Sequence, residues 1–191
     1  MQKLDSQMRR WSSCLRDDLG IDPAASNHLA TTISDEVGQL PEEIKERIKT
    51  LSPVPLSDRL DELSAFQSWM DFVHSISFPQ PEVVRAQIIV QNYICFVYLK
   101  ETWFEVLHDY LPKGSTTSQC CAFLLSDPIR SLRNAISQGN WRYKDDFSGI
   151  EYWNRKNKSS SFIHWEVGQV ELDFWQALAR STAYATLLSL R

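Results

Sequence analysis

Apolar residues recur at helical spacing through most of the chain. After a Pro-rich stretch at 52–55, Leu60, Leu63, Phe66, Trp69, Met70, Phe72, Val73 and Ile76 predict a helix that Ser57 can cap and that stops before Phe78-Pro79-Gln80-Pro81. The next helix, about 81–111, is apolar on most sides through Val84, Ile88, Ile89, Tyr93, Phe96, Val97, Phe104 and Leu107, and is expected to be the central, most buried element. Lys113-Gly114-Ser115-Thr116-Thr117 predicts a turn. A third helical region runs to Gln138; Asp127 can restart it with Pro128 at the first helical position, and Gly139 is placed to end it. The pattern then changes: 150–153 and 161–167 are rich in aromatic and β-branched residues around the polar turn 154–160, which predicts a β-hairpin. A last helix, about 170–190, gathers Leu172, Trp175, Leu178, Ala179, Ala183 and Leu187 on one broad face. Ahead of the linker, 4–49 reads as short polar helices broken near Gly20-Ile21-Asp22-Pro23 and at Pro41. The expected fold is all-α, a four-helix up-and-down bundle over 56–191 with an inserted β-hairpin at about 150–167 and an N-terminal helical extension over 1–52.

Composition narrows the function classes. The chain has 191 residues, 43% of them hydrophobic and 23% charged, enough for a real core. A net charge of −4 argues against coating nucleic acid by bulk positive charge. Residues 1–78 nevertheless carry 13 acidic and 8 basic side chains, whereas 127–158 carry 4 acidic and 7 basic, so any nucleic-acid site must be local and lie in the second segment. The most apolar stretch, 88–99, is 12 residues long and interrupted by Gln91 and Asn92, well short of the ~20 residues of a spanning helix. No membrane partner is expected. The first residues, Met1-Gln2-Lys3-Leu4-Asp5-Ser6, hold no apolar signal core, which makes the cytoplasm the expected location. Cys14, Cys95 and the adjacent Cys120 and Cys121 form no CxxC motif and read as reduced, mostly buried thiols.

Common catalytic signatures are missing. Lys113-Gly114-Ser115-Thr116 lacks the order and the upstream glycine of a phosphate loop. His28, His74, His108 and His164 are too scattered to pair as metal ligands, and there is no GxSxG elbow or GxGxxG turn. The informative segment is 127–141. At about 100° per residue, Ile129, Leu132 and Ile136 share one face, while Arg130, Arg133, Asn134, Ser137 and Gln138 share another. Two arginines and an amide could grip a phosphate in forked geometry. Spacing alone favours a solvated helix face whose arginines suit the C-terminal end of the helix dipole.

Arg133-Asn134-Ala135-Ile136-Ser137-Gln138, followed by Gly139, resembles the RNxxxH signature of the HEPN superfamily. These are helical bundles, many of which act as metal-independent ribonucleases in toxin–antitoxin, antiphage and RNA-processing systems. The resemblance extends over 56–191 and implies a homodimer in which motif residues of two subunits meet, RNA as substrate, an antitoxin or defence-system protein as a further partner, and no cofactor or metal. Carried over by position, the catalytic set is Arg133 steadying the phosphate, Asn134 orienting the site, and Gln138 where the motif has His. A carboxamide does not titrate near neutral pH, and loss of general acid–base help costs about 10²–10⁴ in rate, so the chain is expected to be nearly inactive as a ribonuclease. The alternative is a non-catalytic RNA- or protein-binding module or regulatory subunit. A third reading is a structural bundle whose Arg130 and Arg133 face pairs with acidic partners.

Beyond the motif, Arg130, Trp141, Arg142 and Tyr143 are candidate RNA contacts, since unpaired bases stack on aromatic rings. Aromatics bury large areas and dominate cores, so Trp141 and Tyr143 read first as pinning the hairpin to the bundle. Lys156 and Lys158 read as ordinary turn residues.

Overall fold

The computed structural model describes residues 11–51, 55–75, 81–98, 101–155 and 161–191. It is mostly helical, with one small antiparallel sheet. The linker at 52–54, the break at 76–80 and the turn lysines Lys156 and Lys158 lie outside the described residues.

The N-terminal part folds as α1 (Ser12–Asp17), α2 (Pro23–Asn27), α3 (Leu29–Gly38) and α4 (Glu42–Thr50). Asp22 caps α2 by accepting from the Ala24 amide at 2.7 Å, and Pro23 takes the first helical position, where no amide is needed. These helices are not an appendage. Leu15, Leu29, Ile33, Val37 and Ile48 are fully buried in the same core as the C-terminal helix, so the expected boundary near 52 separates no second core among the described residues. Glu36 fastens the joint: its carboxylate accepts from the Thr116 and Thr117 amides at 3.0 and 2.7 Å and from the Thr117 hydroxyl at 2.5 Å.

Helix α5 (Leu56–Ser75) begins one residue before Ser57, the expected cap. The single long helix expected over 81–111 is divided into α6 (Pro81–Tyr93), a π-helical segment (Ile94–Tyr98) and α7 (Glu101–Tyr110). Nor is it the most buried element. That place belongs to α10 (Gln169–Ser189), where every residue from Phe174 to Ala183 is buried. The one broad apolar face expected there underestimates its burial, because polar letters hid positions that find partners inside. Gln176 donates to Asn92 at 2.6 Å and accepts from Gln91, while the Thr186 hydroxyl bonds back to the Thr182 carbonyl at 2.8 Å. Small residues at 177, 179, 183 and 185 let neighbouring helices approach from several sides.

Helices α8 (Thr116–Leu125) and α9 (Ile129–Gln138) follow. Ser115 caps α8, and Pro128 sits just ahead of α9 rather than inside its first turn as expected. The expected hairpin is present but belongs to three strands, β1 (Trp141–Tyr143), β2 (Gly149–Asn154) and β3 (Ile163–Gly168), in the order β1-β2-β3. Directly opposed pairs tie β2 to β3: Tyr152 stacks on Trp165 at 5.6 Å between ring centroids, and Trp153 on His164 at 6.1 Å. Strand β1 went unseen because three residues, one of them Arg142, are too short for a period-two pattern.

Candidate functional site

The motif helix divides its faces as its spacing requires. Ile129, Leu132, Ala135 and Ile136 are buried; Arg130, Asn134, Ser137 and Gln138 are exposed, and Arg133 is half-buried and takes part in interactions within the fold. Gly139 ends α9 in a left-handed conformation (φ 73°), and the Asn140 amide reaches back to the Ala135 carbonyl at 2.8 Å. This is a Schellman-type stop, and a side chain at Gly139 would meet the left-handed penalty. Asn140 is then fixed from two sides, since its carbonyl accepts from the Trp153 amide at 3.0 Å and its side-chain amide donates to Gln138 at 3.2 Å.

The sheet is welded to this helix. Tyr152 donates to the Pro128 carbonyl at 3.3 Å, and Asn154 donates to the Ser131 carbonyl. Burial and the nearby Glu171 and Asp127 carboxylates push the Tyr152 phenol up. The chain leaving α9 therefore enters β1 at a fixed place, and β1 forms one wall of a cleft of about 430 Å³ whose other wall is α6. Trp141, Arg142 and Tyr143 line it from β1, and Arg85, Ile88 and Ile89 face them from α6. Lys144, Asp145 and Phe147, from the turn between β1 and β2, complete it, so the lining holds three cations and one carboxylate.

Three rings run along this cleft, with centroids 6.4 Å apart for Trp141 and Tyr143 and 5.8 Å for Tyr143 and Phe147. Phe147 is held at φ 57°, a left-handed backbone that a bulky residue adopts only at a cost. The Tyr143 hydroxyl donates to Gln169 at 2.8 Å; burial, reinforced by the Asp173 carboxylate, pushes its pKa up to about 12. Tyr143 is thus a neutral phenol at physiological pH.

The cations are mostly matched. Arg142 pairs with Glu151 at 2.6 Å, Lys144 with Glu166, and Arg130 with Glu105 at 3.3 Å. Arg85 is exposed and has no ion pair among the described residues. Three of the four candidate RNA contacts, Trp141, Arg142 and Tyr143, therefore meet in one cleft, while Arg130 is engaged by α7. Trp141 and Tyr143 also pack against the core, as the pinning role requires, so the two roles coexist.

Sequence reasoning missed Arg85 and Phe147. Arg85 carried a signal, since it is the lone charge in the apolar run 83–97. Elsewhere, burial raises the pKa of the Cys95, Cys120 and Cys121 thiols, and all four cysteines are free, as expected for reduced thiols. Among the described residues no group of three His, Cys, Asp or Glu side chains is placed to hold a metal, and no helix is long and apolar enough to cross a membrane. No family model, curated protein or solved structure matches this chain.

Proposed function

We propose that the chain is a HEPN-like RNA-binding domain whose ribonuclease chemistry is lost at position 138. Single-stranded RNA lies with a base in the cleft beside β1 and its phosphates toward Arg85, Arg142 and Lys144, while Arg133, Asn134 and Gln138 occupy the motif positions on α9. The observation that carries this reading is the meeting in one cleft of three aromatic rings and three cations against a single carboxylate, Asp145, with all but Arg85 on the segment that follows the motif helix; unpaired nucleotides need this combination. In the ribonuclease reading, a 2′-hydroxyl attacks the adjacent phosphate and requires a group that exchanges a proton near pH 7. Gln138 holds its amide oxygen against Asn140 and supplies none. Two copies apposed through their α9 faces would place both motifs around one phosphate, in a toxin–antitoxin or antiphage setting.

The test restores the missing group. Purified Gln138→His protein should cleave single-stranded RNA in EDTA, leave 2′,3′-cyclic phosphate ends, and lose this activity with Arg133→Ala added. Sedimentation should show a dimer. A folded, dimeric Gln138→His protein that binds RNA and cuts none of a broad RNA panel leaves the binding function and removes the nuclease ancestry.

A protein-binding module is the second reading, favoured by a separate observation. Helix α6 exposes Ile89 at 54% and Tyr93 at 50%, with Val83 and Val90 beside them, the kind of apolar stripe that marks contact surfaces. If the protein shows no salt-dependent RNA affinity at all, this reading replaces the first.

A further inference from the structure

One residue beyond Phe147, the same turn borders a second cleft, of about 750 Å³. Its chemistry is the reverse of the first. Phe174 stands between Trp11 and Phe123, 6.0 Å from each by ring centroid, and Trp175 adds to the floor. Trp11 and Phe123 are only half-buried, so ring surface remains open to a ligand. Asp18 and Glu171 are exposed on the lining, which includes no lysine or arginine among the described residues.

The start of α10 also faces this cleft and contributes the positive end of its dipole, equivalent to roughly half a charge. Two full carboxylates outweigh it, and Glu171 lies in that first turn, where it offsets the dipole directly. Among the described residues the charge on the lining is therefore negative, over aromatic faces that attract cations. The volume lies in the range that encloses a side chain with its flanking main chain, and Val170, 76% exposed, offers apolar contact beside it.

We propose that this cleft receives a basic side chain of a partner polypeptide, with the cation on the open face of Trp11 and Asp18 and Glu171 as its counter-charges. Arginine fits better than lysine, because its planar, weakly hydrated guanidinium stacks on indole while its edge reaches carboxylates. No residue lines both clefts, so this inference stands or falls apart from the RNA reading.

The test uses the full ¹⁵N-labelled chain, titrated with a capped Gly-Gly-Arg-Gly-Gly peptide and with its citrulline counterpart, which keeps the shape and removes the charge. The Trp11 indole signal should shift saturably with the arginine peptide and stay in place with citrulline. An Asp18→Asn, Glu171→Gln double variant, altered only at exposed positions, should weaken binding about tenfold, as should Trp11→Leu. If Trp11→Leu fails to fold, the double variant carries the test. Equal response to arginine and citrulline, absence of a saturable shift, or unchanged affinity in the double variant overturns the proposal. Binding that appears only after Arg9→Gln and Arg10→Gln assigns the cleft to the chain's own N-terminus and overturns it as well.

Discussion

The two clefts share a construction and differ in sign. Each has an aromatic floor, and consecutive residues of one turn, Phe147 and Ser148, border them. What separates them is the helix that stands opposite: α6 brings Arg85 to one, whereas α1 and α10 flank the other and the residues Asp18 and Glu171 give it negative charge. A net charge of −4 therefore says little about either, because a ligand meets local charges within about one Debye length. The clefts also differ in readiness. Arg142 and Lys144 must leave Glu151 and Glu166 to meet a phosphate, but exposed pairs are worth only about 0–1 kcal/mol each, so the exchange is cheap. Asp18 and Glu171 have no ion pair to give up among the described residues.

The most severe way to break this comparison is to remove the sheet that both clefts border. A Cβ on Gly149 would lie 2.2 Å from the Val167 carbonyl oxygen and 3.1 Å from the Gly168 Cα, both backbone atoms that cannot swing aside. Gly149→Ala should therefore cost about 3 kcal/mol in urea unfolding and impair both clefts together. Native stability in this variant would mean that β2 and β3 do not pair at Gly149 and Gly168.

A milder change acts on one side. Trp11 and Asp18 flank α1, one of the N-terminal helices, which Glu36 ties to the start of α8. Glu36→Ala removes three hydrogen bonds and a favourable charge at a helix N-terminus, and should cost about 2 kcal/mol. The urea midpoint should fall, with arginine-peptide binding affected before RNA binding. Equal losses at both clefts would show that the N-terminal helices support the whole fold alike.

Arg85→Glu sharpens the comparison from the other side. By fluorescence anisotropy, affinity for single-stranded RNA should fall about fivefold at low salt, and the slope of log affinity against log salt should flatten by about 0.7, the contribution of one phosphate contact. Arginine-peptide binding should be unchanged. An unaltered salt slope would place the RNA elsewhere.

Much of this was legible in the chain, and the failures share a cause. Helical periodicity placed α5, α9 and α10, and the shift to alternating aromatics placed β2 and β3, because burial on one face leaves a periodic trace. Gly139 ended its helix as expected, since a left-handed stop requires such a residue. Periodicity gave no warning of the π-helical segment, where 94–98 are apolar on every side and any register looks alike. It also ranked the central helix wrongly, because Gln176 and Thr186 are polar letters whose partners lie on another helix or another turn. The site divides in the same way. Trp141, Arg142 and Tyr143 were visible as a run, whereas Arg85 lies 56 positions before Trp141 and joins them only through the fold.

The smallest expected effect concerns a hydrogen bond that links the clefts. Tyr143 lines the basic cleft, Gln169 lines the acidic one, and the Tyr143 hydroxyl donates to Gln169 at 2.8 Å; Gln169 in turn donates to Asp173 at 2.7 Å. Burial lifts the Tyr143 pKa from 10 to about 12, so the folded protein holds this proton more tightly than the unfolded chain. The resulting stability is whole below pH 10 and is lost as pH rises through about 12. Tyr152 is raised too, so rapid pH-jump absorbance at 295 nm should show late-titrating tyrosines of which Tyr143→Phe removes one. The variant should also lose stability less steeply than the parent over this window, since it has no proton to release. If the late component survives intact in Tyr143→Phe, the phenol is solvated, and the two clefts are not joined through it.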